Sequence, residues 1–158
     1  MKKIVVALVV VIGGAAAWYA FRPERLFINQ KVNEQFPTAS AADTTTKLAS
    51  GQFHSGAHET KGTATIFRLA DGRRTLRLTN FETSNGPDVH VYLSRETGGK
   101  WDAATSLYLG TLKATNGSFN YELPADIDVA SYRSVVVWCR AFRVLITWAD
   151  LREGAAFA

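Results

Sequence analysis

The first residues of the chain form a single apolar block. From Ile4 to Phe21 there are 18 residues with no charged side chain and no Asn, Gln, Ser or Thr. As an α-helix this run would be about 27 Å long, close to the thickness of the hydrocarbon core of a bilayer. It is apolar on every face, unlike the one-sided pattern of a helix that covers a soluble core. The pattern predicts a transmembrane helix, a signal anchor over residues 1–22 that contacts the lipid bilayer through residues 4–21.

The ends of this block bear on cleavage and orientation. Ala15–Ala17 are small enough for signal-peptide cleavage, which leaves a cleaved leader as the alternative. The apolar run continues past them to Phe21, and this favours the uncleaved anchor. Lys2 and Lys3 on one side nearly balance the cations that follow residue 21, so the positive-inside count is almost tied. We expect a single-pass protein of the cell membrane with its amino terminus inside and its domain on the extracytoplasmic side.

Residues 23–46 are predicted to be a juxtamembrane segment and linker. Mixed apolar and charged residues before Pro37 favour a short helix that ends at that proline. The small polar stretch Ala39–Thr46 is typical of a linker. The folded domain is then expected over residues 47–154, which is long enough for one hydrophobic core.

Within that domain, apolar and polar residues alternate with a period of two, which indicates strands. The turn pairs Asp71-Gly72 and Asn116-Gly117 each predict a hairpin. Val135–Cys139 is almost continuously apolar, as in a central strand covered on both faces. About seven short strands with turns between them predict an all-β fold, an antiparallel β-sandwich or small barrel. The predicted strands are Thr63–Leu69, Thr75–Thr79, Asp88–Leu93, Leu107–Leu112, Ser118–Leu123, Val135–Cys139 and Phe142–Trp148.

The net charge, the single cysteine and the absence of several motifs argue against some classes of function. Residues 47–158 carry 13 Lys and Arg against 11 Asp and Glu, a net charge of +2 that is too small and too scattered to predict nucleic-acid binding. One cysteine excludes an intramolecular disulfide and a multi-thiolate metal site within one chain. The sequence has no Cys-x-x-Cys-His, no phosphate-binding glycine loop and no Gly-x-Ser-x-Gly nucleophile elbow.

The order of motifs over residues 50–152 resembles the DM13 domain family, including its bacterial membrane-anchored members. The resemblance is carried by the blocks His58–Thr63, Leu76–Phe81, Asn85–Leu93, Leu109–Lys113, Gly117–Pro124 and Tyr132–Cys139. The resemblance implies an extracytoplasmic all-β module with a role in electron transfer. It also implies that Cys139 is the functional cysteine, either as a bare thiol or as a ligand to a prosthetic group such as haem.

Cys139 is therefore the first candidate for redox chemistry. Thiolates are the reactive form of cysteine, and nearby cations such as Arg140 or Arg143 would favour them. In a regular strand Arg143 shares the face of Cys139 and Arg140 does not. The alternative is that Cys139 is a small buried residue of a central strand.

Three further side chains are candidates for binding. His58 lies in a polar stretch and would serve as a second cofactor ligand, for example an axial ligand if haem binds, or it would only make loop hydrogen bonds. Asp88 and His90 share one strand face, where a carboxylate could orient an imidazole. His58, Asp88 and His90 form a weaker candidate metal site, and a solvated strand face is the plain alternative for the last two.

The tryptophans and tyrosines raise a similar choice between a cofactor cleft and core packing, and core packing is the more common use of such residues. The residues concerned are Tyr92, Trp101, Tyr121, Tyr132, Trp138 and Trp148. Two functions remain open at this stage. One is a membrane-tethered redox module with a redox or envelope protein partner. The other is a non-catalytic binding or adhesion module that presents the loops Phe81–Pro87 and Arg95–Trp101.

Overall fold

The computed structural model describes residues 2–21, 29–37 and 45–153. The first described element is helix α1, Lys2–Phe21. Over Lys2–Tyr19 it is long and apolar enough to cross a membrane, and its apolar side chains are exposed. Such a helix suits a membrane anchor and a signal sequence equally.

The rest of the described chain consists of strands, the loops between them and one short 3₁₀ helix, Val129–Ser131, which confirms the all-β prediction. They form one curled, half-barrel sheet in the order β1-β7-β4-β3-β2-β9-β8-β5-β6, with β10 paired to β2. The neighbours are antiparallel except β1 and β7, which run parallel. The strands are β1 Lys31–Asn33, β2 Thr46–Ser55, β3 Lys61–Arg68, β4 Arg74–Glu82, β5 Val89–Ser94, β6 Leu107–Thr111, β7 Asn116–Leu123, β8 Ser134–Cys139, β9 Val144–Asp150 and β10 Arg152–Glu153.

Strand β2 is the bend that lets one sheet enclose a core. Its first part, Thr46–Gln52, pairs with β3, and its last part, Phe53–Ser55, pairs with β9. Residues from both halves of the sheet therefore face each other across one hydrophobic core. Phe53, Phe81 and Phe119 lie at its centre with their rings edge to face, a favourable arrangement of aromatic quadrupoles.

The first predicted hairpin is confirmed and the second is wrong. β3 and β4 are antiparallel neighbours joined through the turn that contains Asp71 and Gly72. Asn116 and Gly117, however, lie inside β7, and β6 pairs with β5 rather than with β7. The positive φ of Gly117, 121°, serves a close approach to the backbone of Val32 and not a turn.

The segment before Pro37 is also different from the prediction. Lys31–Asn33 is a strand, where a juxtamembrane helix was expected. Parallel pairing to Asn116–Ser118 satisfies its backbone groups and extends the sheet by one strand. Residues 22–28 and most of the predicted linker, 38–44, lie outside the described residues.

Candidate functional site

Cys139 is the last residue of β8, and its side chain lies in the core. It is 1% exposed and packs with the buried apolar cluster. The prediction that β8 is a central strand is confirmed, because β5 and β9 pair on either side of it. Arg140 and Arg143 follow in the turn after the strand, where Arg143 has a positive φ of 52°. The regular alternation that would place Arg143 on the face of the thiol therefore ends at Cys139.

Cys139 lies close to one wall of an open pocket. The Sγ atom lies 4.0 Å from the position that a Cβ atom on Gly86 would occupy, and Gly86 lines the pocket. The pocket encloses about 280 Å³ and its lining is mostly polar, from Gln30, Asn85, Gly86, Pro87, Asp88, Val89, Thr111, Leu112, Ala114 and Thr115.

The same loop that carries Gly86 also carries Asp88, which binds a buried histidine. The Nε2 atom of His90 lies 2.5 Å from Oδ1 of Asp88, and its Nδ1 atom lies 3.0 Å from the hydroxyl of Tyr108. The His90 side chain is only 6% exposed, whereas Asp88 reaches solvent. Both ring nitrogens of His90 are thus engaged by protein side chains, as in an imidazole that a carboxylate holds in one orientation.

His90 belongs to a group of rings on the outer face of β5, β6 and β8. We call this group, His90, Tyr92, Trp101, Tyr108 and Trp138, the outer-face aromatic cluster. The neighbouring ring centroids are 5.6 Å apart for His90 and Tyr108, 5.3 Å for Tyr108 and Tyr92, 4.7 Å for Tyr92 and Trp101, and 4.9 Å for Trp101 and Trp138. These are ordinary contact distances for aromatic pairs. None of the five belongs to the enclosed core cluster.

Strand geometry explains why the cluster forms on that face. In β5 the side chains of Val91 and Leu93 enter the core, so the intervening His90 and Tyr92 point outward. Trp138 lies directly across from His90 on β8. Tyr108 lies opposite Tyr92 because a register shift separates the pairs Val91–Gly110 and Tyr92–Tyr108.

Arg140 supplies the fixed charge of the cluster. Its Nε atom donates a hydrogen bond of 2.8 Å to the Tyr92 hydroxyl, and its guanidinium lies 4.8 Å from the centre of the Tyr108 ring. The hydrogen bond to Tyr92 raises the pKa of Arg140 above its ordinary value. The guanidinium therefore stays positive beside two phenol rings, in a cation–π arrangement.

The third candidate, His58, contacts neither Cys139 nor the pair Asp88 and His90 among its hydrogen-bond partners in the described part of the chain. Its Nδ1 atom lies 2.5 Å from the hydroxyl of Ser84, and its backbone N–H bonds to the carbonyl of Ile146. Asp88 and His90 meet as the sequence predicts. Among the described residues there is no group of three or more His, Cys, Asp or Glu side chains that could hold a metal ion.

A haem does not fit Cys139 as the side chains are arranged. The thiol faces the core, and Gly86 and Val89 stand between it and the pocket. The pocket itself is open and lined largely by polar groups, whereas sites for large ring cofactors are mostly apolar and enclose the ligand.

A comparison of the sequence with models of known protein families shows to which family this chain belongs. The model described as Electron transfer DM13 matches residues 52–151, which is most of the described domain. The chain belongs to the DM13 family. The matched span contains Cys139, His58, Asp88 and the whole outer-face aromatic cluster, and the resemblance found in the sequence is thereby confirmed. No curated protein and no solved structure matches the chain.

Tyr108 is the residue of this DM13 domain that sequence reasoning missed. It is 46% exposed and lies in the short strand β6, where the alternation of apolar and polar residues does not mark it as a functional residue. Its partner His90 is 18 positions away. Only the cross-strand register of β5 and β6 brings the two together, and a single sequence does not show that register.

Proposed function

We propose that this DM13 protein is a membrane-tethered electron-transfer domain on the extracytoplasmic side, and that electron exchange depends on Cys139. Membership of a family described as electron transfer supports the general role. The apolar helix Lys2–Phe21, which is exposed over Lys2–Tyr19, supports the tether. A redox or envelope protein is the expected partner.

The observation that carries the role of Cys139 is its place behind Gly86. Gly86 and Val89, which both line the pocket, stand between it and Sγ. In this proposal an outward movement of the loop that carries Gly86 exposes the sulfur. The closed form protects a lone thiol from overoxidation, because oxidation of cysteine follows its exposure.

The test is a comparison of electron exchange in the full-length protein and in its Cys139 variants. Wild-type protein in lipid nanodiscs is titrated against one-electron mediators, alongside Cys139→Ala and Cys139→Ser. We expect both variants to stay folded and to lose the exchange. Unchanged exchange in a folded Cys139→Ala protein would refute the role of the thiol.

Access to the thiol is tested separately by alkylation. A small haloacetamide should modify Cys139 slowly in the native protein and rapidly in urea, and Gly86→Ala should slow the native reaction. The added methyl group would lie 2.7 Å from Val89 Cγ2 and would thicken the wall over Sγ. Equal native rates in wild type and Gly86→Ala would place the route to the sulfur elsewhere. A Soret band that is present in purified wild-type protein and absent from Cys139→Ala would show that haem binds at Cys139 and would contradict the conclusion that it does not fit there.

Sidedness is tested with single cysteines introduced on a Cys139→Ala background. Asp126→Cys lies on an exposed loop of the domain, and Lys3→Cys lies at the other end of α1. A membrane-impermeant maleimide should label Asp126→Cys in intact cells and Lys3→Cys only after permeabilisation. The reverse pattern would show that the domain faces the cytoplasm.

The burial of Cys139 favours one second candidate, a binding module without redox chemistry. A thiol that is 1% exposed within a core is also the ordinary setting of a structural cysteine. The domain would then present Phe81–Pro87 and Arg95–Trp101 to an envelope partner, since loops on a rigid scaffold commonly carry binding. Partner capture by the Cys139→Ala protein, together with no electron exchange by wild type, would support this function instead.

A further inference from the structure

We propose that Tyr108 is a one-electron redox side chain, with His90 as the acceptor of its phenolic proton and Asp88 as the residue that positions His90. The proposal deepens the electron-transfer function above and rests on it. It assigns redox chemistry to the outer face of the sheet, whereas Cys139 lies on the inner face.

The hydrogen-bond chain gives the phenolic proton of Tyr108 a direction in which to move. A carboxylate only accepts hydrogen bonds, so an imidazole with one hydrogen beside the Asp88 carboxylate carries that hydrogen on Nε2 and donates it there. The Nδ1 atom is then the acceptor, and the Tyr108 hydroxyl donates to it. Oxidation of a phenol requires a place for its proton, and this geometry provides a base at 3.0 Å.

The step balances as follows. A high-potential metal centre of a redox partner protein takes one electron from Tyr108 and is reduced by one electron, while the phenolic proton moves to Nδ1 of His90. The products are a neutral tyrosyl radical and an imidazolium whose Nε2–H remains bonded to the Asp88 carboxylate. A reduced metal centre of a partner protein returns one electron and is oxidised by one electron, and the proton returns from Nδ1 to the phenol oxygen.

The surroundings distinguish Tyr108 from the neighbouring Tyr92. Tyr92 is 5% exposed, and its hydroxyl accepts a hydrogen bond from the Arg140 guanidinium. The guanidinium cannot accept a proton, so this contact gives the phenolic proton of Tyr92 no acceptor. Tyr108 has the base, and at 46% exposure it also has the surface that an external oxidant needs.

The experiment generates the oxidant by light in the full-length protein in nanodiscs. A flash-oxidised ruthenium tris-bipyridine complex removes one electron, and transient absorption and electron paramagnetic resonance identify the radical. Wild type should yield a neutral tyrosyl radical whose formation slows in D₂O. Tyr108→Phe should remove that radical, and the matched control Tyr132→Phe, a tyrosine beside Arg95, should retain it.

The base is tested by His90→Gln, which keeps a polar side chain but cannot take up the proton. The rate of tyrosyl formation should fall about 100-fold, in the range that a positioned base contributes, and the solvent isotope effect should change. Asp88→Asn should give a smaller loss and shift the pH profile of the rate. Circular dichroism and the melting temperature confirm that each variant is folded.

Two outcomes would overturn the proposal. One is an unchanged tyrosyl signal in folded Tyr108→Phe, and the other is an unchanged rate and isotope effect in folded His90→Gln. Cys139→Ser separates this proposal from the function above. If it abolishes mediator exchange but keeps the Tyr108 radical, both stand; if Tyr108→Phe keeps the radical while Cys139→Ser abolishes exchange, only the thiol role stands.

Discussion

Trp138 and Cys139 are consecutive residues of β8, and the pleat of the strand sends their side chains to opposite faces. The indole joins the outer-face aromatic cluster and the thiol joins the core. Alternation in β5 predicts which of its side chains share a face, but the almost continuous apolar run of β8 does not show whether Trp138 or Cys139 enters the core. The sequence does not predict the contact of His90 with Tyr108, which depends on a register shift between β5 and β6.

The first prediction at this scale concerns the packing of Cys139. Cys139→Ser should lower the free energy of unfolding by about 1–3 kcal/mol, because it buries a hydroxyl among apolar side chains. Cys139→Ala should cost less, since it removes one atom and adds no polar group. Urea unfolding of both variants measures the difference. A serine variant as stable as wild type would show that the site offers the hydroxyl a partner or water.

At the scale of elements, seven predicted strands correspond to strands in the structure, whereas β1, β2 and β10 were not predicted. The alternation of apolar and polar residues does not reveal β2. A register shift between Lys47 and Ala49 breaks the alternation, and the strand changes partner from β3 to β9. Gly51 lies so close to the carbonyl of Asp150 that no side chain fits there. The two parts of β2 thus pair with different strands, and a single alternation of apolar and polar residues does not run through the whole strand.

The second prediction concerns the docking of β1 on β7. Gly117→Ala should destabilise the domain by about 1–3 kcal/mol and release β1, because the methyl group would clash with the carbonyl of Val32 at a positive φ. Gly72→Ala is the matched control, since it has a positive φ of 85° and open space around it. Hydrogen exchange at Asn33 and Glu34 measures the release. If both substitutions destabilised the domain equally, the positive φ alone would explain the loss of stability, and the contact with Val32 would not.

At the scale of the whole molecule, Glu34 ties the chain that follows α1 to the sheet. Its carboxylate accepts 2.8 Å hydrogen bonds from Lys113 Nζ and from the backbone N–H of Asn120. Burial tends to raise the pKa of Glu34, but the bonds to Lys113 and Asn120 outweigh it, and the pKa falls below its ordinary value of 4.5. The described stretch 29–37 is thus held against the sheet by a charged contact at Glu34.

The third prediction is the pH dependence of this contact. A carboxylate whose pKa is lowered by folding stabilises the fold above pH 4.5, and this contribution is lost as the pH falls below that value through the folded-state pKa. Glu34→Gln should therefore lower the melting temperature near neutral pH, and the difference from wild type should shrink in acid. A difference that stays constant across this range would show that the charge of Glu34 does not stabilise the fold.

The account as a whole requires that the protein exchange electrons. Coulometry of the full-length DM13 protein in nanodiscs, with one-electron mediators covering a wide range of potentials, measures this most directly. We predict reversible exchange of at least one electron per chain in wild type and its loss in folded Cys139→Ala. No exchange by wild type at any potential in that range would contradict the electron-transfer function and leave a tethered binding domain.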